Sequence, residues 1–179
     1  MVDFNKLTNY SQEILSSASA IMNSHKNTEL QPEHIMLAMI RDNGIIKDYL
    51  TDLKLLTQSF IDRIVAAVNS FPTISTPPNT SQLFLSNETV RLLDTAQEIA
   101  GEMKDEFVGI ELILLAMTRL DSSNIQKLLK DFRVESSTVL NVMKKIRGNK
   151  KVDNKNAEEN MKALEKYSTD LTALARKGK

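Results

Sequence analysis

The sequence predicts an all-α fold: a pseudo-twofold bundle of two four-helix repeats, followed by a linker and one further helix. Three observations predict it. Glycine is sparse (5 of 179 residues), tryptophan and cysteine are absent, and Leu, Ile, Ala, Met, Glu and Lys dominate, a mixture that favours helices over strands. The run QPEHIMLAMI at 31–40 returns as GIELILLAMT at 109–118, each with a glutamate, Glu33 or Glu111, at its third position. Around both runs, apolar residues recur at helical spacing.

The recurrence extends well beyond the two runs. At an offset of 78 (Glu33 to Glu111), Leu7, Asn9, Leu15, Ala18, Ile21 and Lys26 meet Leu85, Asn87, Leu93, Ala96, Ile99 and Lys104. Ile35, Leu37, Ala38, Met39 and Arg41 then meet Ile113, Leu115, Ala116, Met117 and Arg119. From Leu50 an offset of 79 pairs LTDLKL (50–55) with LKDFRV (129–134), so one residue has entered the intervening loop. Matching is strongest at apolar positions, the signature of a duplicated structural unit.

Each element follows in order. Ile14, Leu15, Ala18, Ile21 and Met22 form one stripe after a polar start, where Thr8 or Asn9 can cap free N–H groups. Pro32 stands in the opening turn of the next helix, which is expected to run to about Arg41 and stop before Gly44. IIKDYL gives a short third helix, and Phe60, Ile61, Ile64, Val65 and Val68 a fourth. The second unit repeats this through Val90, Leu93, Ala96, Ile99 and Met103, then 110–119, then Ile125 to Leu129, then Val139, Val142, Met143 and Ile146. The quoted helix is apolar nearly all round, above all in LILLAM. One copy from each unit is therefore expected in the middle of the bundle, the pair related by a pseudo-twofold.

Domain limits follow: 1–147 for the bundle, divided into repeat one (1–70), a connector (71–84) and repeat two (85–147). The connector FPTISTPPNTSQLF reads as extended. RGNKKVDNKN is polar, basic and aperiodic, so 148–156 is expected to be a flexible linker. From 157 to 179 the pattern turns helical, with Met161, Leu164, Tyr167, Leu171 and Leu174 on one stripe. That stripe needs a partner surface not evident in the chain, which suggests the front part of a longer protein.

Several functions are disfavoured. Formal charge sums to zero with a pI near 6.8, unlike the basic footprint of a nucleic-acid binder. No signal core and no run of about 18 apolar residues occurs, so a cytoplasmic, membrane-free protein is expected. His25 and His34 lack companion ligands, so no metal site is expected, and neither has a Ser or Cys arrangement suggesting nucleophilic catalysis. G-x-x-x-x-G-K-[ST] does not occur, so neither a nucleotide site nor enzyme activity is expected in this chain. The cluster Lys144, Lys145, Arg147, Lys150 and Lys151 is read as favouring a helix C-terminus and solvating the linker.

PEHIMLAMI with its degenerate copy IELILLAMT, preceded by LTNYSQEIL and LSNETVRLL, resembles the double Clp N repeat at the front of Clp-family AAA+ chaperones. The tail ALEKYSTDLTALARKGK resembles the segment leading into the first ATPase module of ClpB-type disaggregases. The resemblance implies a parent homohexamer that uses ATP and Mg outside this chain to thread aggregated polypeptides through a pore, working with the DnaK chaperone system. It implies that this piece is the N-terminal domain that recruits unfolded or aggregated polypeptides. The alternative is an adaptor-docking domain, as in ClpC-type and ClpA-type unfoldases.

The resemblance also implies a substrate-binding set: Thr8 in LTN, Asp105 in KDEF and Glu111 in GIEL. Local physics offers a second account of each. Thr8 is a natural cap, worth about 1 kcal/mol. A carboxylate in a first helical turn complements the macrodipole, and Glu33 does this as well as Glu111. Leu112, which replaces His34 of the first unit, and Leu93 on the preceding helix are candidates to line an apolar client groove, against the reading that both are core. Met22, Met36, Met39, Met103, Met117 and Met143 are expected to pack in the core rather than form an adaptable surface.

Overall fold

A computed structural model describes residues 2–75 and 83–161. A 3-10 turn at Phe4–Lys6 leads into α1 (Asn9–Ser24), and Thr8 caps it by accepting from the Ser11 N–H at 3.1 Å. α2 (Pro32–Arg41) starts at its proline, α3 (Ile45–Asp52) is short, and Thr57 caps α4 (Gln58–Asn69). The second repeat has the same order: Ser86 caps α5 (Asn87–Met103), followed by α6 (Ile110–Thr118), α7 (Asn124–Asp131) and α8 (Ser136–Ile146). All eight expected bundle helices are present. α6 ends one residue early, at Thr118, and α7 is longer than 125–129 because Ser123 caps it and Phe132 terminates it.

The duplication is visible as reciprocal contacts. Leu7 bridges Val108, and Leu30 bridges Leu85; each residue is the other pair's counterpart at the 78 offset. Thr8 N–H donates to Val108 O at 3.1 Å and Ser86 N–H to Leu30 O at 3.0 Å. Ser11 Oγ donates to Val108 O at 3.0 Å, and its counterpart Thr89 Oγ1 donates to Leu30 O at 2.7 Å. At the far ends, Arg63 of α4 pairs with Asp131 of α7 at 3.1 Å, while Lys145 of α8 pairs with Asp52 of α3 at 3.4 Å; Asp52 and Asp131 are counterparts at the 79 offset. Backbone conformation repeats as well: Lys26 and Lys104, and Lys54 and Arg133, all have positive φ, 56–64°. Each ends a helix in the left-handed cap conformation that a glycine more often supplies.

Every α6 residue is buried, as are Pro32 to Met39 of α2. Each central helix is enclosed mainly by its own repeat, α2 by α1 and α4, and α6 by α5, α7 and α8, rather than chiefly by the other. Contacts between repeats run from α2 to α5 and from α3 to α6 and α8. Met22, Met36, Met39, Met117 and Met143 are core and Met103 packs against it.

The expectation of a flexible linker at 148–156 is corrected. Val152 is fully buried, and its carbonyl accepts from the N–H groups of Glu106 and Phe107 at 2.9 and 3.2 Å. The connector behaves the same way at the equivalent place: Thr73 bridges Asn27, counterpart of Asp105, and Ile74 N–H donates to Lys26 O at 2.9 Å. The segment after α8 is thus the second copy of the connector's start. Polarity misled because most of its anchors are backbone groups, with Val152 the one aliphatic side chain among them. Residues 157–161 turn helical; the rest of the helix expected at 157–179 and connector residues 76–82 lie outside the described residues.

Candidate functional site

The site lies where the start of α1, the loop after α5 and the start of α6 meet. Chain reversal after α5, helped by the left-handed Lys104, delivers Asp105 to the seam. The Leu7–Val108 bridge sets the α1 and α6 N-termini side by side. Gly109 caps α6, and any Cβ there would stand 2.6 Å from Glu111 Oε1, so the glycine lets the Glu111 carboxylate fold back over its own helix start.

Thr8, Asp105 and Glu111 come together here, but all are buried, 0, 8 and 2% exposed. Their partners are two residues the sequence patterns did not single out for this role. Arg147, just after α8, donates through Nη2 to both Asp105 carboxylate oxygens at 2.7 and 2.8 Å and through Nη1 to Glu111 Oε1 at 3.0 Å. Its Nε and Nη2 also donate to Lys150 O, at 3.2 and 3.1 Å, and Val152 N–H donates to Asp105 Oδ1 at 3.1 Å. Glu158 then reaches back across both helix starts. Its Oε2 accepts from the Thr8 hydroxyl at 2.7 Å and from Ile110 N–H at 2.9 Å. Asn9 N–H donates to Lys155 O at 2.8 Å, and Asn9 Nδ2 to Asn156 Oδ1 at 2.7 Å.

One guanidinium therefore faces two buried carboxyl groups, and a third, that of Glu158, stands near Glu111. Burial, then the charge of Glu158, push the Glu111 carboxyl up to about 7 although Arg147 pulls the other way. Burial raises Glu158 too, against its bonds from Thr8 and Ile110. Desolvation disfavours the Arg147 cation, but the Glu111 and Asp105 carboxylates outweigh it and hold its pKa above the usual value. The basic cluster is accordingly split: Arg147 is a buried structural ion, while Lys144, Lys150 and Lys151 stay exposed.

Leu93 and Leu112 are both fully buried, which corrects their placement on a client groove. Leu93 lies on the α5 face against α6, and Leu112 sits in the first turn of a helix buried on all sides. Its counterpart His34 is equally buried: Nδ1 accepts from Gln31 N–H at 2.9 Å, so Nε2 donates to Asn27 Oδ1 at 2.8 Å, and burial with His25 pulls its pKa down to about 4. Among the described residues no group of three or more His, Cys, Asp or Glu is placed to hold a metal.

Among the described residues, the counterpart of the site on repeat one is lined differently. Around Gln31, Glu33, Ser86, Asn87 and Asn124 lies a cleft of about 730 Å³. There Glu33 Oε2 accepts from Asn124 Nδ2 at 3.1 Å, while Oε1 is buried without a partner among the described residues. Val68 stands at the position of Arg147, and Pro32, which has no N–H, at that of Ile110.

A family model, the Clp repeat (R) N-terminal domain, matches residues 6–132. The chain is similar to chaperone protein ClpB 2 of Nostoc sp., 30% identical over 174 residues that cover 97% of this chain and 20% of that protein. It is 32% identical over 185 residues to chaperone protein ClpB of Corynebacterium diphtheriae, covering 100% of this chain and 21% of that one. The chain thus spans about a fifth of the length of the curated relatives it matches. Its fold is similar to the crystal structure of the Hsp104 N-terminal domain from Candida albicans, with a TM-score of 0.72, 21% identity, and 86% of this chain and 99% of that one covered. The N-terminal domain of ClpD from Arabidopsis thaliana aligns with a TM-score of 0.57 at 17% identity, over 79% of this chain and 96% of that one.

Proposed function

Because the chain belongs to the Clp repeat N-terminal domain family, we propose that it recruits unfolded or aggregated polypeptide for a longer ClpB-type chaperone. The observation that carries this reading is the gathering of Thr8, Asp105 and Glu111 at one seam, beside two helix N-termini whose donors, the Thr8 hydroxyl and Ile110 N–H, already hold one carboxylate oxygen, that of Glu158. Leu93 and Leu112 have no direct part in it, since both are core. ATP hydrolysis, with its Mg, belongs on this reading to other parts of the longer protein, as do hexamer assembly, threading and cooperation with DnaK.

Recruitment calls for weak contact, because a client must leave for the pore. The test is a chemical-shift titration of the chain with a permanently unfolded model client. Saturable shifts at the Thr8, Asn9 and Ile110 amides are expected. Absence of any saturable shift refutes the reading, and stoichiometric recovery of one folded partner in a pull-down would replace it with adaptor docking.

A further inference from the structure

The closed state of the seam shows what chemistry it takes. The N-termini of α1 and α6 converge on one point, where the Thr8 hydroxyl and Ile110 N–H both donate to a single oxygen, Glu158 Oε2. Helix starts favour anions, and a bound carboxylate is in place here. The fit is incomplete: Glu158 Oε1 is buried without a partner among the described residues, and the Glu111 carboxylate opposes it. A ligand held by two bonds yet faced by like charge is a displaceable one. On repeat one Ser86 and Pro32 occupy the same places, and Pro32 offers no N–H to a carboxylate there.

We infer that the junction of the α1 and α6 N-termini is a carboxylate-binding site, held closed in cis by Glu158 and opened to a client that presents its own carboxylate. This rests on the recruitment reading for the identity of the client, but not for the site itself. Residues 154–158 are then a latch anchored at Val152: the anchor stays docked while Lys155, Asn156 and Glu158 lift away from Asn9, Thr8 and Ile110. The client carboxylate comes from an acidic side chain or from a chain terminus.

The full chain carrying Glu158→Ala tests the site with propionate as the probe. Saturable movement of the Ile110 amide resonance with propionate, but not with propionamide, and at least tenfold weaker movement in the wild type, is the expected result. No saturable movement in a variant that keeps its helical circular dichroism overturns the inference. Should the variant not fold, hydrogen exchange on the wild type decides instead: Ile110 exchanges through local opening and faster than Ile113 if the latch lifts, and both exchange together if it does not. Unfolded model clients then separate the sources: amidating the client's C-terminus abolishes the gain in binding to Glu158→Ala if a terminus is read, and neutralising its acidic side chains does so if those are read. If propionate binds and no client does, recruitment fails and the site stands. If clients bind wild type and variant alike while propionate is silent, recruitment stands and the site fails.

Discussion

Replacing Arg147 by Met keeps much of the side-chain volume and removes the cation that pairs with two buried carboxyl groups. The guanidinium is 5% exposed, and Asp105 and Glu111 lie at 0 and 2% on their side chains, so water cannot take its place without opening the fold. Breaking a buried pair by removing one partner costs about 3–5 kcal/mol, because a charge is left uncompensated. For a domain of this size that is a fall in Tm of roughly 6–20 °C. The loss should depend on pH. Without Arg147 the Glu111 carboxyl, already raised by burial and Glu158, is held protonated in the fold to higher pH than in the unfolded chain, so the folded state binds more protons and stability falls as pH rises. The deficit relative to wild type is therefore largest at pH 8 and smaller at pH 5, by about 1.4 kcal/mol for each unit of added pKa elevation. Urea denaturation of both proteins at both pH values measures this, and comparison at equal pH cancels the opposing contribution of His34. A deficit below about 1 kcal/mol at pH 8, or a larger deficit at pH 5, would refute the idea that Arg147 is the charge that closes the seam.

Glu111, raised to about 7, contributes stability that is fully present below about pH 4.5 and is lost as pH rises through 7. The stability of Glu111→Gln relative to wild type should therefore improve between pH 5 and pH 8, and a flat difference in paired urea titrations would sink this. Thr8→Val loses a helix cap and leaves Glu158 without its hydroxyl donor, whereas Ser86→Ala loses a cap with no such partner; thermal melts should show the first costing about 1 kcal/mol more. Gly109→Ala drives a Cβ into the Glu111 carboxylate and should cost about 1–3 kcal/mol, while Gly101→Ala, with nothing within 4 Å in a helix, should stabilise by roughly 0.5–1 kcal/mol; the two melts must move in opposite directions. Leu93→Ala should lower stability by about 2–5 kcal/mol as a core deletion, so client binding by the fraction still folded should be unchanged, which titration below the melting range can verify.

What could be read from the chain was whatever local pattern controls. The twofold repetition of LAM-centred helices, the Thr8 cap and Pro32 in a first turn are each fixed within a few residues by periodicity or by orphan N–H groups, and they stand where the pattern put them. Burial of Leu93 and Leu112 was one of two readings, because an apolar stripe says which face is hidden but not whether the neighbouring helix leaves a gap. Arg147 reads in sequence as one of a solvating basic cluster and Glu158 carries no mark at all, because their partners are tertiary. Arg147 reaches Glu111 across 36 positions and Glu158 reaches Thr8 across 150, and nothing in a polar stretch marks which charged residue folds back. The docked run at 148–153 was detectable in principle, since extending the 79 offset sets Thr73 against Val152, but it shares almost no identity with the connector and is held by backbone groups.

The departures from symmetry explain why one seam of a duplicated fold is the functional candidate. Both copies must anchor the chain that leaves their fourth helix, and each does so at the residue after a left-handed lysine: Asn27 after Lys26, Asp105 after Lys104. Repeat one completes its anchor with a neutral histidine, His34, which bonds Asn27 and carries no charge into the core. Repeat two has Leu112 at that place and recruits a cation from the fourth-helix end instead, Arg147, with two acids to meet it. A neutral anchor is satisfied once made and indifferent to pH. An ionic one leaves Glu111 charged or protonated according to what sits opposite, and thereby makes the adjoining α6 start sensitive to the presence of another carboxylate. Ile110, in place of Pro32, adds the N–H that such a group needs. Differences at four positions, Asp105, Ile110, Leu112 and Arg147 against Asn27, Pro32, His34 and Val68, thus separate a seam that holds a carboxylate from its neutral counterpart.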